Sequence, residues 1–222
     1  FICTTDAQDF SIRTNNTEKV RITTKGQIET TQLQSVWIGE NTGNAVTTGS
    51  SNTAVGTDAF TLNTTGNNNI AIGYNSLNAN TSGDNNVGIG YQALASNTTQ
   101  NNNNALGYRA LASNTVGFGN SAFGYLALES NTTADRNIAF GNQALRTQTS
   151  DGFDNVALGY FTLTNNTSGD YNVAVGSQAL LANTASNYNV AVGSNALAST
   201  TVNGQNVAVG HEVLTTNTAP FN

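Results

Sequence analysis

Residues 69–83 read NIAIGYNSLNANTSG, and residues 172–184 read NVAVGSQALLANT. The same phrase recurs on both sides of each stretch. Its glycine falls at Gly39, Gly56, Gly73, Gly90, Gly107, Gly124, Gly141, Gly159, Gly176, Gly193 and Gly210, eleven copies spaced by 17 residues nine times and by 18 once. One residue before the glycine stand Ile38, Val55, Ile72, Ile89, Leu106, Phe123, Phe140, Leu158, Val175, Val192 and Val209, all apolar. Three before it the residues are mostly β-branched, as at Val36, Ile70, Val87, Ile138 and Val173. Apolar residues two apart with a small residue between them follow the period of a strand, not of a helix. These two columns are expected to share the core face. A third apolar column, four residues after the glycine, includes Leu77, Leu94, Leu111 and Leu180.

One 17-residue copy cannot bury its apolar side chains alone, whereas stacked copies place each column on top of itself and build a continuous narrow core. The fold class predicted is all-β, a parallel β-solenoid or β-roll of about eleven coils. A helical repeat is excluded by the recurring Gly and Asn-Thr, which interrupt any helix-length apolar stripe. With about 4.8 Å per stacked strand, the rod section is roughly 48 Å long.

The polar columns read as turn and ladder chemistry. At Gly56, Gly73, Gly90 and Gly107 a corner is expected, with a positive φ or a close backbone approach. Four residues before the glycine is Asn in ten copies, Asn69, Asn86 and Asn172 among them. An Asn amide there can bond its own turn and the next coil, forming a ladder along the stack. The Asn-Thr pairs that begin seven residues after the glycine, such as Asn63-Thr64 and Asn80-Thr81, open a second turn. Several read N-T-[TS], formally glycosylation acceptors, but are read as structural turns that the repeat reproduces.

Two residues before the glycine, on the strand's other face, stand Ala54, Ala71, Ala105, Ala174 and Ala191 with their equivalents. A uniform stripe of small residues is read as the place where another copy packs closely, with closed cyclic symmetry. The motif N-x-A-[VI]-G-x-x-A-L resembles the head repeats of trimeric autotransporter adhesins. The longer form with A-L-x-x-N-T-x-G is similar to repeats in bacteriophage tail-fibre proteins and in large surface proteins of Bacteroidetes. The resemblance covers about residues 35–218 and implies a left-handed, trimeric β-roll in an extracellular fibre. The 17-residue coil is longer than the usual autotransporter coil, and nothing in the chain resembles that family's coiled-coil stalk or membrane anchor.

Composition narrows the function. Charged residues make up 9% of the chain and the formal net charge is −6, leaving no basic surface to neutralise phosphates, so nucleic acid is excluded as a partner. No apolar run approaches 18 residues, so no membrane insertion is expected. A single cysteine, Cys3, permits no internal disulfide, and a single histidine, His211, leaves little for a metal. The chain opens at Phe1 without Met or a leader pattern, and is read as a fragment or a processed product. Residues 1–34 lie outside the repeat and read as a small β-meander, a connector or cap that covers open strand edges. Residues 35–218 form the solenoid, and 219–222 a tail or link.

Catalytic constellations, cofactor motifs and metal-ligand spacings are lacking, so the expectation is a non-enzyme. Two features remain as possible ligand contacts. The column after the glycine holds Tyr74, Tyr91, Tyr108 and Tyr125, a row that suits saccharide stacking or packing between subunits. The copy with an extra residue, TSDGFD at 149–154, reads first as a plain insertion and at most as a recognition loop that bulges outward with Phe153 at its tip. The expected function is a homotrimeric fibre shaft or head that attaches to a host or surface, in a phage tail fibre or a bacterial adhesin, with a host glycan or receptor as partner. An ice-binding solenoid is the alternative, opposed by the lack of a flat T-x-T face; a glycan-degrading tailspike is a third.

Overall fold

A computed structural model describes residues 35–149, 151–201 and 204–216, together with strands 10–14, 17–22 and 28–30. The described chain is all-β. Near the N-terminus, β1 (Phe10–Thr14), β2 (Thr17–Ile22) and β3 (Ile28–Thr30) form an antiparallel sheet in that order. The register sets Phe10 opposite Ile22 and Ile12 opposite Val20, then slips between Ile12 and Arg13. The turns at Asn15-Asn16 and Lys25-Gly26, and Cys3, lie outside the described residues.

The repeat makes one parallel sheet of eleven three-residue strands: β4 (Val36–Ile38), β5 (Thr53–Val55), β6 (Ile70–Ile72), β7 (Val87–Ile89), β8 (Asn104–Leu106), β9 (Ser121–Phe123), β10 (Ile138–Phe140), β11 (Val156–Leu158), β12 (Val173–Val175), β13 (Val190–Val192) and β14 (Val207–Val209). Each strand pairs with the next copy's strand at the same repeat position, as Ile70 with Val87 and Ile72 with Ile89. The 18-residue copy keeps this register, with Ala139 opposite Ala157. The chain is therefore a β-solenoid of 17-residue coils.

Only the strand is extended; the rest of each coil is turn, and its backbone bonds also run from coil to coil. Leu77 N–H donates to Ala93 O at 3.0 Å, and Leu94 N–H to Ala110 O at 3.1 Å. Three left-handed bends outside the repeat glycine curl each coil. In the copy around Gly90 they are Asn85 (φ 58°), Gln92 (φ 54°) and Leu94 (φ 53°). A leucine in this region is uncommon for an L-residue. It is held there in every described copy from Leu77 to Leu197 because the bend turns its side chain inward, where it is fully buried.

The repeat glycine is required twice over. Its φ is between 123° and 143°, and a Cβ built on Gly90 would lie 2.3 Å from the carbonyl oxygen of Gly107 in the next coil. No side chain fits between coils that approach this closely.

The interior is thin, and it reverses the expected strand faces. Ala54, Ala71, Ala105, Ala174 and Ala191 point inward and are buried, against a second small column, Ala59, Ala93, Ala110 and Ala179, and the leucines Leu77, Leu94, Leu111 and Leu180. Val55, Ile72, Ile89, Leu106, Val175, Val192 and Val209 are not core residues. They point outward with Ile70, Val87 and Val173, and Val209 is 68% exposed. The reason is width. At Gly88, which replaces the inward alanine in β7, an added methyl would already meet Ser76 Oγ at 2.7 Å, Ala93 O at 3.1 Å and Leu77 Cγ at 3.2 Å. A valine or isoleucine has no room on that side, so the small residue turns inward and the large ones outward.

Candidate functional site

Two asparagine columns line the inside of the coils. In the column four before the glycine, Asn86 accepts from the Asn103 backbone N–H at 2.9 Å through Oδ1 and donates to Gln100 O at 2.7 Å through Nδ2. Its own N–H donates to Asn69 Oδ1 at 2.9 Å. Asn172 has the same arrangement, donating to Ser186 O and accepting from Asn189. In the second column the side chains bond one another: Asn80 Nδ2 donates to Asn63 Oδ1 at 3.0 Å, and Asn97 Nδ2 to Asn80 Oδ1 at 3.1 Å. These amides are buried and engaged, which removes the N-T-[TS] motifs at Asn63, Asn80 and Asn97 as glycan acceptors on the folded chain. A third ladder runs near the surface, where Asn67 N–H donates to Asp84 Oδ1 and Asp84 N–H to Asn101 Oδ1, both at 2.7 Å.

The outer sheet face holds 22 side chains, from the columns one and three before the glycine. None is charged, and only Thr53, Asn104 and Ser121 are polar. It runs through all eleven strands. Among its members Ile38, Leu106, Ile138, Phe140, Val207 and Val209 are exposed. The alanines expected to form an intersubunit stripe cannot do so, because the chain's own coils bury them.

Tyr74, Tyr91, Tyr108 and Tyr125 form a row just past the corner glycine. Their ring centroids are 5.2–5.4 Å apart and their planes within 21° of parallel. Each ring covers its neighbour's face. The row therefore presents hydroxyls and ring edges, and a sugar finds free π-faces only at its two ends. A second pair, Tyr171 and Tyr188, stacks at 5.1 Å on another column.

Phe153 is not at a protruding tip. Its N–H donates to Asp170 Oδ1 at 2.7 Å and its carbonyl accepts from Tyr171 N–H, so it is one more rung of the surface ladder. The extra residue is absorbed from within. Gln148 stands where other copies have Asn, and its longer side chain donates to Asp151 O at 2.6 Å and to Gly152 O. Asn166 Nδ2 then donates to Gln148 Oε1 at 2.9 Å. Asn131 Oδ1, which an Asn at this position would have met, is left without a partner.

Charges are few, and Arg109, Arg136 and Arg146 are each ion-paired. Arg136 grips Asp154 through two bonds, Nε to Oδ1 at 2.7 Å and Nη2 to Oδ2 at 2.8 Å, and its guanidinium lies over the Phe118 ring. The hydrogen bond from Arg136 holds the Asp154 carboxyl below the ordinary carboxylate range, against the opposing effect of desolvation. Glu129 sits between Arg109 (3.1 Å) and Arg146 (3.2 Å). Among the described residues no group of three or more His, Cys, Asp or Glu side chains could hold a metal ion.

Three compensations were not visible in the repeat consensus. Trp37 stands in the inward alanine column of the first coil and Gly43 in its leucine column; the indole fills the missing leucine's space and stacks on Phe60 at 5.9 Å. Ser76 Oγ donates to Gly88 O at 2.7 Å, where an alanine at 88 would collide with that hydroxyl. Gln148 and the extra residue are the third pair. Each was detectable as two consensus violations near one another.

Fold and ladders together define a class: a β-solenoid repeat protein with an uncharged, apolar outer sheet. No protein-family model matches the chain, and no similar protein is found among curated proteins or solved structures.

Proposed function

We propose that the chain is a rigid segment of a homotrimeric extracellular fibre, the shaft or head through which a phage tail fibre or a bacterial adhesin attaches to its host. The observation that carries this reading is the outer sheet face. It is uncharged over 22 positions and repeats every coil. As a plane about 48 Å by about 10 Å, it is at the upper end of the apolar patches that single soluble chains expose, before its corrugation is counted. A partner that matches such a face along its whole length must share its coil spacing, and another copy of this chain does. Three copies is the number implied by the resemblance to trimeric autotransporter heads, and closed symmetry leaves no sticky face at the end.

The contacts between copies move from the alanine column to the valine and isoleucine column. Stiffness comes from backbone and asparagine ladders that every coil shares with its neighbours. Surface loops and the tyrosine edges are left to meet a host receptor or glycan.

Sedimentation equilibrium tests the assembly. The expected mass is three times 23.0 kDa, about 69 kDa, falling to that of one chain in an Ile72→Asp/Val192→Asp variant that keeps its β circular dichroism. A wild-type chain that sediments as a monomer would overturn the reading. For attachment, fluorescent wild-type protein should decorate host cells that the dissociated variant does not.

A further inference from the structure

A face that repeats every coil creates a problem of register. Copies shifted by one coil still oppose one apolar side chain to another over most of the face, and lose only the contacts of the terminal coil. Apart from Thr53 in β5, the face is apolar except at one place. In β8 and β9, the column three before the glycine carries Asn104 and Ser121, between Val87 and Ile138. Neither polar side chain hydrogen-bonds within the described chain. Beside them the other column is at its bulkiest, with Leu106, then Phe123 and Phe140, whose ring centroids are 5.8 Å apart. These positions are near the middle of the stack, where they act against shifts in either direction.

We propose that Asn104 and Ser121 set the register in which copies of this chain associate, with Phe123 and Phe140 filling the adjacent layer. The proposal rests on the shared-face reading above. In register, the Asn104 amides of the copies meet, and an amide carries both donors and acceptors, so equivalent amides satisfy one another. The Ser121 hydroxyls do the same one layer on. A one-coil shift sets Asn104 against Val87 of one neighbour, and a two-coil shift sets it against Ile70 or Ile138. A buried amide without a partner is then left in an apolar interface, which lowers the population of that register by roughly five- to a hundred-fold. A single polar layer in an otherwise apolar seam has this effect in coiled coils.

The test compares the wild-type face with an Asn104→Val/Ser121→Val variant, both in a Cys3→Ser background. Valine is what most other copies carry at these positions, so the variant keeps a foldable coil. For each face, two chains are made, one with Val173→Cys and one with Val190→Cys, then co-refolded and oxidised, and the disulfide-linked peptides mapped by mass spectrometry. A disulfide needs Cα atoms within about 7 Å, and positions one coil apart are offset by about 4.8 Å, so the ratio of 173-to-190 links to links between equivalent positions reports a one-coil shift. The proposal expects links between equivalent positions to dominate on the wild-type face, and 173-to-190 links of comparable abundance on the valine face. It is overturned if 173-to-190 links form equally on the wild-type face, or if the valine face stays in register. A trimer with no intermolecular disulfide at all, or a monomer, overturns the shared face itself, and with it the proposal.

Discussion

Replacing Asn86 by alanine strips the buried Asn103 N–H, held at 2.9 Å, of its partner, and takes from the Gln100 carbonyl the nearer of its two donors, leaving it the Asn97 amide at 3.1 Å. A buried polar group left unsatisfied costs about 1–3 kcal/mol, so the variant should lose about 1–3 kcal/mol. That is a large share of the 5–15 kcal/mol typical of a folded domain. The loss falls on one coil near the middle of the rod. In a structure held by nearest-neighbour contacts, it should therefore tend to split a single unfolding transition into two. Asn86→Asp separates donor from acceptor. The new carboxyl still accepts from Asn103, but when ionised it turns an oxygen toward the Gln100 carbonyl, and only the neutral acid can donate there. Its folded pKa is therefore raised. The added stability is fully present below the unfolded value of about 3.9 and is lost as pH rises through the raised folded value. Urea unfolding followed by far-ultraviolet circular dichroism between pH 3 and pH 8 measures both, with Thr99→Ala as an exposed control expected within about 0.5 kcal/mol of wild type. If Asn86→Ala unfolds like that control, and the aspartate variant tracks wild type at every pH, the ladder is not what holds the coils together.

Gly90→Ala should destabilise by at least the roughly 1–3 kcal/mol of a forbidden backbone conformation, because its φ is 135° and its new methyl would meet the next coil's carbonyl; a melting temperature equal to wild type would contradict the close approach. Gln148→Asn should destabilise, since the shorter amide no longer spans to Asp151 O and Gly152 O. Deletion of Asp151 alone should also destabilise, while the two changes combined recover stability, a non-additivity read by thermal melts. The Asp154 carboxyl, titrated by NMR, should ionise below the usual aspartate range and return toward it in Arg136→Gln. The stability it contributes is present above its unfolded pKa and is lost as pH falls through the depressed folded value. Because both partners are substantially exposed, Asp154→Asn should change the melting temperature little.

Fold class was legible because a 17-residue glycine period with alternating apolar residues admits few architectures, and the corner glycines and asparagine ladders followed from side-chain chemistry. The strand's facing was not legible. Hydrophobicity ranks Val55 and Ile72 above Ala54 and Ala71 as core residues, and that ranking decides when a coil is wide. Here the coil is so narrow that size decides instead, which shows only once Leu77 and Ala93 are seen to fill the space opposite the strand. The left-handed leucines were hidden for a related reason: Leu94 at φ 53° goes against its backbone preference, and it is held there by burial that no local window contains. Phe153 reaches no tip because Gln148, three residues before Asp151, is long enough to draw the extra residue in, a compensation that the repeat register alone does not reveal.

Thiol accessibility at two adjacent positions tests the account most directly. Ala105→Cys and Leu106→Cys, each in a Cys3→Ser background, are exposed to a water-soluble maleimide in the assembled protein and in chains kept apart by Ile72→Asp/Val192→Asp. A thiol at 105 should stay unreactive in both until the coils unfold, and one at 106 should be protected in the assembly and react freely in separated chains. Rapid labelling at 105 in folded chains, or equal reactivity at 106 in both states, would contradict a narrow alanine interior beneath a shared apolar face.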